Sequence, residues 1–86
     1  MDWDLISFVK GSKYREIFIL ALAEREMTPT ELKSRGHCSI SYASFILGQM
    51  KARGLVIELT TTRRHKILAL SEKGRDVHRS LKKLSP

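Results

Sequence analysis

The chain has 86 residues, 42% of them hydrophobic, a single cysteine and a formal charge of +7. That length supports one modest core, the apolar fraction excludes a disordered tail, and one cysteine excludes an internal disulfide framework while suiting a reducing cytoplasm. No run is long enough to span a bilayer, and Asp2 and Asp4 stand where a secretory leader needs positive charge, so a soluble, cytoplasmic protein is expected.

Asp2 to Lys10 places apolar Trp3, Leu5, Ile6, Phe8 and Val9 behind a capping aspartate, which predicts a short helix ended by Gly11. Ser12 caps a second helix running to about Glu24, and its Ile17 to Ala23 segment is apolar all round. Such a helix needs cover on more than one side, as the hub of the core or as part of a subunit interface. Thr28 to Gly36 carries Thr28 as N-cap, Pro29 at the first helical position, Glu31 as the return half of a capping box, and Gly36 beyond the end.

The stretch from Ser39 to Gly54 is the one around which the chain is organised. Ile40, Ala43, Ile46, Leu47 and Met50 share one helical stripe expected to turn inward, and Ser41, Tyr42, Phe45, Gln49 and Ala52 look outward. Ser39 is its expected N-cap and Gly54 its C′ residue. Only Gly36, His37 and Cys38 separate it from the preceding helix, and two helices joined so closely form a helix-turn-helix. Leu55 to Leu59 and Lys66 to Leu70 then read as two strands of a hairpin, with Thr60 to His65 as a mobile loop because no Gly, Asn or Pro marks a tight turn. Ser71 opens a last helix in which Leu70, Gly74, Val77, Leu81 and Leu84 form a narrow seam suited to packing along another helix, a symmetry mate included.

Divided along the chain, residues 1–50 hold six Lys or Arg against six acids, and residues 51–86 hold ten against three. The excess lies from the end of the marked helix onward, which favours a polyanion, most simply nucleic acid, over an anionic membrane. No Ser–His–acid grouping, nucleotide loop or zinc-hydrolase spacing is present, so an enzyme is not expected. His37 beside Cys38 raises a metal site, but adjacent ligands suit one ion poorly and no second cysteine exists. Both are expected as turn residues, with no metal and no cofactor.

The order helix, helix, helix-turn-helix, hairpin, helix, together with FVKGSKYR (8–15), MTPTELKSRG (27–36), SISYAS (39–44), ARGLV (52–56) and LSEKGRDV (70–77), resembles the small winged-helix transcriptional regulators common in archaea, related to the MarR and ArsR groups. The resemblance covers nearly the whole chain and implies a mainly α fold with a two-stranded β-hairpin (α+β), a winged helix-turn-helix in one domain over residues 1–86. Its parts would be a helix-turn-helix at 28–53, a wing at 55–70 and a C-terminal helix at 71–84.

It further implies a DNA-binding regulator whose partner is double-stranded DNA, expected to be nucleoid-associated and a homodimer joined through its N-terminal and C-terminal helices; from the sequence itself no membrane partner is expected and, with no separate ligand domain, no small-molecule ligand is indicated. Carried over by position, Ser39, Ser41, Tyr42, Ser44, Phe45 and Gln49 would meet the major groove. Arg63, Arg64, His65 and Lys66 would lie on backbone or minor groove, with the amides at Thr28 holding a further phosphate. The chain departs from the pattern in its outer stripe, Ser41, Phe45, Gly48 and Ala52, which carries no Lys or Arg. Three alternatives stay open: Tyr42 or Phe45 as core, Arg63 and Arg64 as a solvated loop tip, and the stripe as an apolar docking strip for protein. A sequence-indifferent chromatin protein would share the basic C-terminal part. Lys73, Arg75, Arg79, Lys82 and Lys83 are expected as a solubilising face.

Overall fold

The computed structural model describes residues 2–62 and 65–84, with backbone alone at Thr60, Thr61, Thr62 and His65. Side-chain oxygens of the capping residues start all five helices. Asp2 accepts from the Leu5 amide at 3.2 Å to open α1 (Trp3–Lys10), and Ser12 accepts from Arg15 to open α2 (Lys13–Glu24). Thr28 and Glu31 exchange side-chain and backbone hydrogen bonds at the start of α3 (Pro29–Gly36), and Ser39 accepts from the Tyr42 amide at 3.1 Å to open α4 (Ile40–Ala52). Ser71 accepts from the Gly74 amide at 3.0 Å to open α5 (Glu72–Leu84). Each bond satisfies a first-turn amide that has no partner within its helix.

Strands β1 (Val56–Thr62) and β2 (His65–Leu70) pair antiparallel, from Val56 with Leu70 to Thr62 with His65, with an irregularity between Glu58 and Thr60. The strands therefore take in Thr60, Thr61, Thr62 and His65, which are expected as loop from the sequence: a run of β-branched threonines fits a pleated ladder. Met27 adds a bridge to Leu68 through two backbone hydrogen bonds of 3.1 and 2.8 Å. The hairpin is thus tied at its root to the chain entering α3.

Phe18, Ile19, Ala21 and Leu22 of α2 are buried, and α2 contacts α1, α3, α4, β2 and α5. It is the hub of the core, covered on more than one side as expected, and Leu20, 45% exposed, marks the side left open. For Ile40 the expectation is corrected. At the edge of its stripe and on the first turn of α4, it is 44% exposed, whereas Ala43, Ile46, Leu47 and Met50 are buried.

The seam of α5 packs inside the chain. Gly74, Val77 and Leu81 are buried, α5 lies against α1, α2 and β2, and Leu84 alone of the seam is exposed. Gly74 is needed for space, since a Cβ there would stand 2.3 Å from the Leu55 carbonyl oxygen, which accepts from the Ser71 amide. Gly36 is the last residue of α3 and not the turn; a Cβ on it would crowd Phe18, Tyr14 and Cys38 at 3.2–3.4 Å. His37 takes the left-handed position instead, at φ 54°. Gly54, at φ 76°, ends the helix-turn-helix as expected. No helix among the described residues is long and apolar enough to cross a membrane.

Candidate nucleic-acid interface

The cylinder of α4 divides lengthwise into three. One stripe is buried. The opposite stripe, Ser41, Phe45, Gly48 and Ala52, faces outward; Phe45 is 59% exposed, and a Cβ added at Gly48 would meet nothing within 4 Å. Neither aromatic residue is core: Tyr42 is 41% exposed, its ring edge-on to Tyr14 at 5.0 Å between centroids and 6.3 Å from Phe45. The third part is the pair of flanks, and there the charge collects.

On the flank carrying Tyr42, Gln49 and Arg53, helical spacing brings these residues against the end of α1 and the start of α2. The Arg15 guanidinium donates through Nε and Nη2 to Oε1 of Gln49 at 3.2 and 3.1 Å and through Nη1 to the Phe8 carbonyl oxygen at 2.6 Å. It lies 4.0 Å from the centre of the Phe8 ring, and the Arg53 guanidinium lies 4.4 Å from the same centre. Cation–π attraction holds both. Neither arginine has a carboxylate within ion-pair distance among the described residues.

On the other flank, Lys51 pairs with Glu58 of β1, and Nζ of Lys66 on β2 stands 3.9 Å from the same Oε1. The hydrogen bond from Lys51 is the main reason that the Glu58 carboxyl is held below its ordinary value of 4.5, with Lys66 adding a smaller attraction. Two lysines share one carboxylate, so this flank also keeps positive charge. Ser44, exposed, lies between it and the outer stripe.

Of the residues singled out in the sequence, Ser39, Ser41, Tyr42, Ser44 and Phe45 reach the surface along α4, and Ser39 spends one acceptor site as the cap. Gln49 is half-buried with its carbonyl oxygen taken by Arg15. Thr28 is half-buried in its capping box, where the Glu31 carboxylate accepts from the Thr28 amide and Arg25 pairs with it at 2.7 Å. The hydrogen bond from Arg25 is the leading cause of a lowered Glu31 pKa. The start of α3 thus holds a carboxylate of its own. Lys66 is exposed; Arg63 and Arg64, and the His65 side chain, lie outside the described residues.

Phe8, Arg15 and Arg53 are site residues that the sequence does not single out. Arg15 and Gln49 are 34 positions apart, and no periodicity links α1 to the end of α4. His37 and Cys38 form the turn, Cys38 half-buried beside the core. Among the described residues no three His, Cys, Asp or Glu side chains gather as a metal site.

No family model matches the chain, and no curated protein resembles it closely enough in sequence to count as a match. Solved structures do. A MarR family transcriptional regulator from Silicibacter pomeroyi superposes with a TM-score of 0.80 at 19% identity, over 94% of this chain and 56% of that one. RV1404 from Mycobacterium tuberculosis gives 0.80 at 20%, over 91% and 56%. A C30AH42A mutant of ZitR from Lactococcus lactis gives 0.76 at 19%, over 84% and 51%. At this identity the likeness is one of fold: the chain is a winged helix, five helices with an antiparallel hairpin, and it spans a little over half the length of these neighbours.

Proposed function

We propose that this chain is a DNA-binding regulator of transcription that lays α4 in the major groove and sets the hairpin on backbone or minor groove. The observation that carries the reading is the build of α4: an exposed, uncharged stripe bounded lengthwise by positive flanks. A helix with its side chains is about 10–12 Å across and the major groove about 12 Å wide. A helix seated there meets base edges along its outer stripe and a phosphate strand on each side. Ser41 and Ser44 supply hydroxyls, and Phe45 supplies an apolar surface for thymine methyl groups.

A homodimer completes the reading. Helices α1 and α5 pack side by side, with Trp3 of α1 and Leu84 of α5 exposed, and the groove between them is lined by buried Leu5, Ile6 and Val77 and by charged Asp2, Lys73, Asp76, Arg79 and Lys83. A second copy seated on these helices would set two α4 helices about 34–36 Å apart on a pseudo-palindromic site. Selection of duplexes from a random oligonucleotide pool tests the function directly. Enrichment of a two-fold motif is expected. Retention without enrichment would mean a general DNA binder, and no retention at micromolar protein and low salt would overturn DNA binding altogether. In that last case Phe45, Gly48 and Ala52, open to solvent along one line, form a strip for docking protein.

A further inference from the structure

We propose that Arg53 and Arg15, carried on the ring of Phe8, form a backbone-phosphate site that grips one DNA strand on the flank of α4 away from the hairpin. The inference rests on the reading of α4 as the helix that enters the groove, and it adds the contact that holds it there.

Two guanidinium groups within 4.0 and 4.4 Å of one ring centre are like charges brought close together. The aromatic face attracts each of them, but it does not cancel their charge as a carboxylate would, and none stands within ion-pair distance among the described residues. The combination is therefore two permanent positive charges that no acid among the described residues neutralises. Arg15 is the fixed member: three of its five N–H groups are committed to Phe8 and Gln49. Arg53 is exposed, and its planar fork of donors suits two oxygens of one phosphate.

Position selects the source of that phosphate. Arg53 caps the C-terminal end of α4, one turn beyond Gln49 on the same flank, so a phosphate it binds lies beside the outer stripe and not across it. Lys51 and Lys66 occupy the opposite flank and share Glu58. A duplex seated on the stripe would find an acid-free arginine pair against one strand and a partly neutralised lysine pair against the other.

The test uses the full chain with a labelled random-sequence duplex, titrated from low to moderate salt. Replacement of Arg53 by Gln should weaken binding roughly tenfold on every sequence alike and reduce the slope of log affinity against log salt by about 0.9, as expected when one phosphate is no longer neutralised. Arg53→Lys should keep the slope with part of the affinity. Methylphosphonate at single phosphates flanking a selected site supplies the second measurement: one position should weaken the wild type and leave the Arg53→Gln protein indifferent. Wild-type affinity and slope in Arg53→Gln, with the wild type binding normally, would overturn this site alone. Failure of the wild type to bind any duplex would overturn the DNA reading beneath it.

Discussion

Arg15 grips Gln49 with two N–H groups, at 3.2 and 3.1 Å, and so ties the start of α2 to the exposed flank of α4. The same bonds occupy the acceptor that would otherwise read an adenine edge, and Gln49 is better understood as a brace. Gln49→Glu would place a carboxylate beside Arg15 and within reach of the Arg53 stack. Melting temperature should hold or rise, while duplex binding weakens by roughly tenfold and its salt slope flattens by about 0.9 for each phosphate released. Unchanged binding by fluorescence anisotropy would show that this flank does not meet DNA.

Phe45 separates reading from folding. Because its ring is exposed, Phe45→Ala should change stability by no more than about 0.5 kcal/mol. Replacing thymine by uracil in a selected duplex removes only the C5 methyl group, which should weaken the wild type and leave Phe45→Ala indifferent at the contacted positions. Equal sensitivity of both proteins at every position would remove Phe45 from the interface.

At the hairpin, Arg63→Ala combined with Arg64→Ala is expected to weaken binding to all duplexes and to reduce the salt slope by up to about 0.9 for each arginine that neutralises a phosphate. A slope identical to the wild type would take the hairpin out of the electrostatic footprint.

Two glycines give opposite expectations. Gly74→Ala drives a methyl group into the Leu55 carbonyl and should cost about 1–3 kcal/mol in urea unfolding, as overpacking does. Gly48→Ala meets only solvent and should gain up to about 1 kcal/mol from helix propensity. That added methyl projects into the proposed reading stripe, so the more stable protein should show altered sequence preference.

Acid should lower the stability of the chain over two pH ranges. Burial, then Lys82 and Arg79, lowers the His78 pKa from 6.5, so the folded state favours neutral histidine. That contribution is complete above pH 6.5 and lost as pH falls through the lowered folded value. Arg35, Arg25 and Lys51, each by a side-chain hydrogen bond, hold Glu24, Glu31 and Glu58 below 4.5. Their contribution is complete above 4.5 and lost on further acidification. Melting temperature should therefore decline gently below pH 6.5 and more steeply below 4.5. His78→Gln should remove the first limb and Glu31→Gln soften the second; curves unchanged in both variants would discount these groups.

Helix starts are legible in the sequence because capping is local: Asp2, Ser12, Thr28 and Ser39 each accept from an amide three residues on. The outer stripe of α4 is legible for a similar reason, since a 3.6-residue repeat fixes which residues oppose a buried Met50. Glycine misleads once. Gly36 reads as a turn, yet its lack of a side chain serves packing against Phe18 and Tyr14, and His37 makes the turn. The threonines of β1 read as loop when hairpins are judged by their turn residues, although their own preference is for strand. What stays hidden is long-range: the Phe8–Arg15–Arg53 stack joins three elements with no pattern in common, and the internal use of the α5 seam depends on α1 and α2 being in place.

The stack also governs how such a protein responds to its surroundings. Guanidinium keeps its charge at any physiological pH, and a ring face, unlike a carboxylate, has no proton to gain. The α1–α2 flank of α4 is thus indifferent to acidity, while attraction to phosphate falls with every rise in ionic strength. On the proposed reading, occupancy of DNA at this flank would be graded by salt and deaf to pH.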